Sequence, residues 1–263
     1  MTKPLRILQI TDTHLHASPD GQLLGLNTLR CLQQVIELAS RGPIPDLVVA
    51  SGDLAHDATA SAYRQVRQCF TNLRAPVYCL PGNHDEADML KTHMRTEPFH
   101  TTPLLIHHPW QLLFLDSTVA GKEGGHLSRQ QLAAMEDNLG QRTDLHALVF
   151  VHHQPVPVGS AWLDTMAIDN PDELFAVIER HSQIRGIVWG HVHQEFDRKR
   201  NNLRLLATPS TCLQFMPDSE RFSVDTLPPG FRWLELHADG RIETGVERLQ
   251  KIPGTIDLAS RGY

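Results

Sequence analysis

The sequence predicts an α/β protein organised around mostly parallel β-strands. Three observations carry that expectation. Short apolar runs rich in β-branched residues alternate with stretches of helical apolar spacing, the order of βαβ units. Runs such as Leu47-Val48-Val49-Ala50-Ser51 are apolar throughout, as strands covered on both faces are. That run is stopped by Gly52, which lets the backbone turn where a Cβ would crowd it.

In chain order, Ile7–Thr11 reads as a strand that delivers Asp12-Thr13-His14. A loop follows, and then a helix over Leu26–Ser40, with Leu29, Leu32, Val35, Ile36 and Ala39 on one face. Arg41-Gly42-Pro43 closes it. The strand from Leu47 leads to Gly52-Asp53, and Ala58–Leu73 is a second amphipathic helix. Pro76–Leu80 is a strand running into Pro81-Gly82-Asn83-His84-Asp85, and Glu86–His93 is a short helix. Leu104–His108 and Gln111–Asp116 form an antiparallel hairpin turned around Pro109-Trp110, with His107 and His108 at the surface. Ser128 is the expected N-cap of a helix reaching about Leu139, with Gln131 completing a capping box. His146–Val151 is a strand ending in His152, and residues 157–170 are an irregular rim or lid. A helix over Pro171–His181 precedes the strand Ile184–Trp189, which ends in Gly190-His191-Val192-His193. Strand-like runs follow at Leu203–Ala207, Cys212–Phe215, Phe231–Leu236 and Ile242–Leu249. No linker interrupts the chain, so residues 1–250 form one domain and 251–263 a C-terminal tail without a clear signal.

Composition narrows the function. The chain has 263 residues, 41% hydrophobic and 21% charged, with a net charge of -6. An acidic chain without a basic run lacks the footprint of a nucleic-acid binder. An anionic small substrate stays open, because a metal ion supplies local positive charge. No stretch is long enough for a membrane span, and the apolar run after Met1-Thr2-Lys3-Pro4 is too short for a signal peptide, so a cytoplasmic protein is expected. Four scattered cysteines, Cys31, Cys69, Cys79 and Cys212, form no CxxC pair and read as thiols in a reducing compartment. The 16 histidines cluster with Asp and Asn at strand ends, which directs attention to metals.

Five strand ends carry ligand-type residues: Asp12 with His14, Asp53, Asn83 with His84, His152, and His191 with His193. In an open α/β sheet such ends share one edge, where ligands bind. An isolated Asp or Asn in a turn is ordinarily structural. Five such ends in one chain are not explained that way.

The series Asp12-x-His14, Gly52-Asp53, Gly82-Asn83-His84-Asp85, His152 and Gly190-His191-x-His193 resembles the calcineurin-like metallophosphoesterase superfamily. That resemblance implies a four-layer α/β/β/α sandwich with two mixed β-sheets, the late strands joining the second sheet. It also implies two metal ions, drawn from Fe, Mn, Zn or Co without a choice among them. Asp12, His14, Asp53 and His193 would hold one, and Asp53, Asn83, His152 and His191 the other, with Asp53 bridging. Catalytic roles fall to His84 and Asp53, and substrate contacts to His14, Asn83, His84 and His193. Within the superfamily, Thr11–Leu15, Ser51–Leu54, Pro81–Asp85 and Pro209–Phe215 resemble the class III cyclic nucleotide phosphodiesterases. The implied reaction is hydrolysis of 3′,5′-cyclic AMP to 5′-AMP through a metal-bound hydroxide. Gly52-Asp53 is followed by Leu54-Ala55-His56-Asp57, without the Asp-Arg-Gly segment of protein Ser/Thr phosphatases. Another phosphodiester stays open as substrate: a glycerophosphodiester, a 2′,3′-cyclic nucleotide or a UDP-sugar. So does a non-catalytic protein-binding scaffold. The sequence does not fix the oligomeric state.

Overall fold

The computed structural model describes residues 3–262. Met1 and Thr2 of the N-terminal segment and Tyr263 of the tail lie outside the described residues. The elements in order are β1 (Leu5–Ile10), α1 (Thr28–Ser40), β2 (Leu47–Ser51), α2 (Ala60–Thr71), β3 (Val77–Leu80), α3 (Ala87–His93) and β4 (Phe99–His100). There follow β5 (Leu104–His107), β6 (Trp110–Leu115), α4 (Arg129–Gln141), β7 (His146–Val151), α5 (Ala161–Asp164), α6 (Pro171–Arg180) and β8 (Ile184–Trp189). The last are β9 (Phe196–Arg200), β10 (Leu203–Ala207), β11 (Gly230–Leu236) and β12 (Ile242–Arg248). Two two-stranded ribbons complete the set, Gln22–Leu23 with Leu26–Asn27 and Gln214–Phe215 with Val224–Asp225.

Two six-stranded mixed sheets form the body. The first runs β12-β11-β1-β2-β3-β4, and the second β9-β10-β8-β7-β6-β5. In the first, β1, β2, β3 and β4 are parallel, and β11 and β12 are antiparallel additions at the β1 edge. In the second, β6, β7, β8 and β10 are parallel, with antiparallel β5 and β9 at the edges.

Side-chain alternation explains the layering. Along β1, Leu5 and Ile7 enter a core shared with Trp110, Leu112, Phe114, Phe150, Val188 and Leu206 of the second sheet. Leu8 and Ile10 point the other way, into a core with Leu32, Val35 and Ile36 of α1 and Val66 and Phe70 of α2. The outer face of the second sheet packs Val149, Val151, Ile187 and Trp189 against Leu132, Met135, Leu174 and Phe175 of α4 and α6. Helix, sheet, sheet and helix thus stack in four layers, as the resemblance implied.

Several details depart from expectation. The last strands do not all join the second sheet: β10 does, whereas β11 and β12 return to the first. Periodicity identifies such strands but holds no information on which edge they pair with. Ser128 does cap α4 by accepting from Gln131 N–H at 3.2 Å. Gln131 makes no reciprocal bond: its side chain accepts from Asp116 N–H and donates to Asp116 O, both at 2.8 Å, tying α4 to the end of β6. The hairpin turns at His108-Pro109, and Trp110 already belongs to β6, paired with His107. The segment 157–170 holds the short α5. The tail lies against the body: Ile252 and Ile256 pack on the outer core of the second sheet, and Asp257 N–H donates to Leu24 O at 2.9 Å.

Candidate metal centre

The seven residues expected as ligands meet in one place. Each parallel strand leading there stops at its carboxyl end and hands a polar residue to a tight loop. Five of the ten non-glycine residues with positive φ among the described residues lie here: Asp12 (55°), His14 (45°), Asp53 (48°), His191 (62°) and His193 (48°). A non-glycine residue in that region costs on the order of 1–3 kcal/mol and persists only where surroundings hold it. The bonds that hold it are visible. Asp12 N–H donates to Gly52 O at 3.0 Å and His14 N–H to Asp53 O at 2.9 Å, lacing the first loop to the second. His191 N–H donates to both Asp12 carboxylate oxygens at 3.1 Å, and Ser210 Oγ donates to Asp12 O at 2.8 Å.

Two glycines make room for this. Gly52 has φ 99°, and a Cβ there would collide with the His152 ring. Gly82 lacks a positive φ; its reason is space, because a Cβ would strike Asp53 Oδ1.

The donor atoms converge. His193 Nε2 lies 3.4 Å from Asp12 Oδ1 and 3.2 Å from His14 Nε2, and His14 Nε2 lies 3.8 Å from Asp53 Oδ2. On the other side of Asp53, His152 Nε2 lies 3.3 Å from Asp53 Oδ2 and 3.2 Å from Asn83 Oδ1. Asp12, His14 and His193 form one close group, and Asp12, Asp53 and His152 another. His191 stands with His152 and His153, and its Nε2 is buried without a hydrogen-bond partner.

Partners fix the ring tautomers. His152 Nδ1 faces Ser51 O at 2.9 Å and His193 Nδ1 faces Leu213 O at 3.0 Å, so each Nδ1 carries a proton and each Nε2 is the ring atom turned inward. Imidazole nitrogens, carboxylate oxygens and an amide oxygen therefore converge in one largely buried space. Without a metal, the proton shared in the Asp53–His152 pair relieves part of that crowding, and a bound cation would satisfy the whole set. The residues present fit a metal centre.

Charge follows the same geometry. Burial works to raise the Asp53 carboxyl, but His152, with its charge and hydrogen bond, and then His84 and His14 hold it well below the usual carboxylate range. Burial works to lower His152, yet the Asp53 charge and hydrogen bond carry it up to about 9. Burial drives His14 and His191 well below the ordinary histidine value, so both are neutral and ready to ligate. His153 is adjacent but engaged: Nδ1 meets Ser117 Oγ at 2.7 Å and Nε2 meets Glu123 O at 3.0 Å.

His84 belongs to a further close group, with His14 and His56. Its N–H donates to Asp53 Oδ1 at 2.8 Å, while its half-buried ring meets His14 edge-on at 4.9 Å and stacks on His56 at 4.8 Å. A cavity of about 330 Å³ opens beside it, lined by Asn83, His84 and His191. His14 and His193 lie behind that wall, fully buried.

Three contributors escaped the sequence reading. Asp85 accepts from Leu54 N–H at 3.1 Å, Ala55 N–H at 3.0 Å and Gly82 N–H at 3.0 Å, and from Tyr63 OH at 3.0 Å, so it joins the Asp53 loop to the Asn83 loop. Burial and then the Asp53 charge raise it to about 6 despite those bonds. His56 braces His84, and burial followed by His84 and His16 pushes it down to about 4. Phe215 stacks on His193 at 4.3 Å. Asp85 had a signal in its motif; His56 and Phe215 had none strong enough to assign a role.

Comparison with known proteins agrees with this geometry. A family model described as calcineurin-like phosphoesterase matches residues 5–195. A protein of Escherichia coli (strain K12) named 3′,5′-cyclic adenosine monophosphate phosphodiesterase CpdA is 42% identical over 261 residues, covering 98% of this chain and 95% of its own length. A Pseudomonas aeruginosa protein of the same name is 39% identical over 259 residues, covering 98% and 94%. Among solved structures, a dimetal phosphatase from Danio rerio shares the fold, with a TM-score of 0.65 at 14% identity, covering 94% of this chain and 99% of that one.

Proposed function

Because this chain belongs to the calcineurin-like phosphoesterase family, we propose that it is a two-metal phosphodiesterase that hydrolyses 3′,5′-cyclic AMP to 5′-AMP. The observation that carries the reading is the convergence of seven donor residues from five strand ends, with the buried His191 Nε2 left without a protein partner. The near-full-length relatives named cyclic AMP phosphodiesterases support the substrate.

Asp12, His14, Asp53 and His193 would hold one ion, and Asp53, Asn83, His152 and His191 the other, with Asp53 shared. When bound, the two metals supply Lewis acidity, drawing charge from the phosphoryl oxygens and making a water nucleophilic near neutral pH. The donor set suits Fe, Mn, Zn or Co. The protein's own part is orientation and proton management. Ser51 O and Leu213 O fix the tautomers of His152 and His193, and His84 N–H fixes the Asp53 carboxylate. Asn83 and His84 face the cavity where a phosphate would sit. The 3′ oxygen of ribose leaves as a strongly basic alkoxide, and the His84 ring, which lines that cavity, would give it a proton or a nearby positive charge.

No helix of the described residues is long and apolar enough to cross a membrane, and all four cysteines are buried free thiols. We place the reaction in the cytoplasm on that chemistry. The test is a panel under one metal condition: cyclic AMP, cyclic GMP, a 2′,3′-cyclic nucleotide, a glycerophosphodiester and a UDP-sugar. Cyclic AMP is expected to have the highest kcat/KM and to yield 5′-AMP. A faster rate on another class, or on a phosphomonoester, would reassign the substrate.

A further inference from the structure

The cavity beside the metal centre has two unlike ends. One is polar and carries Asn83, His84 and His191, with Glu123 and Thr165 as the other polar residues of the lining. The other is apolar and aromatic, formed by Trp162, Met166, Phe215 and Phe222. We propose that this aromatic end is a nucleobase subsite, taking the flat purine of a nucleotide whose phosphate lies at the metal end. The proposal rests on the phosphodiesterase reading for the place of the phosphate.

The three rings are built as a unit. Trp162 packs edge-to-face on Phe215 at 4.9 Å and on Phe222 at 5.1 Å, and Phe215 meets Phe222 at 5.6 Å. Trp162 Nε1 donates to Ser219 Oγ at 3.1 Å, which fixes the indole plane without drawing on anything in the cavity. Trp162 and Phe222 are only partly buried, so ring surface remains toward the cavity. Phe215 joins the two ends physically, because its ring also stacks on His193. A base on these rings and a phosphate at Asn83 and His84 would therefore share one cavity of about 330 Å³, within the size range of small-molecule sites. A mononucleotide is an amphipathic ligand of this kind, with a π-faced base at one end and a charged phosphate at the other. Gly262 of the tail adds to the lining, so the C-terminal segment also takes part in the wall.

Stacking of a base on aromatic side chains contributes on the order of 5- to 150-fold in affinity. The experiment compares 5′-AMP with ribose 5-phosphate, which differ only by the base, as ligands of the Mn²⁺-reconstituted protein. Binding is read by calorimetry and by tryptophan fluorescence. The wild type is expected to bind 5′-AMP at least tenfold more tightly. Trp162→Leu and Phe222→Leu, which keep apolar bulk and lose the ring, should bring the ratio below about threefold, and Trp162→Phe should restore most of it. If one variant fails to fold by its thermal melt, the other carries the comparison. A wild-type ratio near one, or a ratio unchanged in the folded variants, would overturn the subsite. Hydrolysis of bis(p-nitrophenyl) phosphate by the same wild-type sample reports on the metal reading separately. Its absence, with the binding ratio intact, would remove the phosphodiesterase assignment and leave the base subsite standing.

Discussion

The two ends of the cavity are built on opposite principles. At the metal end six of the seven donor residues are buried, five of those six hold backbone conformations that non-glycine residues seldom adopt, and their partners sit on other strand ends. At the aromatic end the side chains come from α5 and from the loops around the Gln214–Phe215 ribbon, and they touch through ring edges. The metal end gives up local stability to hold donor atoms against each other, and a bound cation returns it. The aromatic end needs no such restoration. Substitutions at the first should therefore destroy function outright, and those at the second should grade it.

The largest effect is expected at Asp53. Asp53→Ala removes the carboxylate between the two donor groups, so activity should fall below about a hundredth of wild type, since lost ligands disable a Lewis-acid mechanism. Metal analysis of the same sample should show fewer than two ions per chain. More than a tenth of wild-type activity with two ions retained would break the bridging assignment.

His84 separates chemistry from coordination. His84→Ala should keep both metals and lose about 10²–10⁴-fold on cyclic AMP, the typical contribution of a positioned acid. The loss should be much smaller on a nitrophenyl phosphodiester, whose leaving group needs no proton. Equal losses on both substrates would mean that His84 binds phosphate and does not assist the leaving oxygen.

Asp85 acts one step back. Asp85→Asn cannot accept from three backbone N–H groups as a carboxylate does, so the Asp53 and Asn83 loops should loosen. Loss of a group that orients metal-binding loops costs about 10–100-fold in metal affinity or activity. A change below twofold in both would remove Asp85 from the metal end.

A smaller effect comes from protons. In the metal-free chain His152 is carried up to about 9 by Asp53, so at pH 7–8 it holds a proton that a metal must displace. His14 and His191 are lowered and have none to give. Metal affinity should therefore rise with pH up to about 9. Calorimetry in buffers of different ionisation enthalpy should register about one proton released from His152 at pH 8. An affinity independent of pH between 7 and 9 would contradict the Asp53–His152 coupling.

Legibility in the sequence follows the same division. Coordination admits few residue types, and the strand ends supply a fixed edge, so Asp12, His14, Asp53, Asn83, His152, His191 and His193 stand out before any coordinates. Their meeting in three dimensions needed the parallel order of β1, β2 and β3 in one sheet and of β7 and β8 in the other, and also the stacking of the two sheets, which no local pattern contains. An apolar wall admits many residue types, so Trp162 and Phe222 look like any core residues, and Trp162 lies in a stretch whose periodicity predicts no helix. Strand β9 was missed for a related reason: Asp197, Arg198, Lys199 and Arg200 are exposed on a sheet edge, where charge discourages further pairing and hides the apolar alternation. The return of β11 and β12 to the first sheet is set by contacts between distant segments, such as Ile7 with Leu234, which no local window contains.

The most direct measurement takes one purified sample through two readings: metal content per chain, and conversion of cyclic AMP before chelation, after chelation and after return of Mn²⁺. Two ions per chain are expected, with 5′-AMP as product, no turnover after chelation and recovery on reconstitution. Turnover that survives removal of the metal, or a fully loaded protein that leaves cyclic AMP intact, would contradict the account.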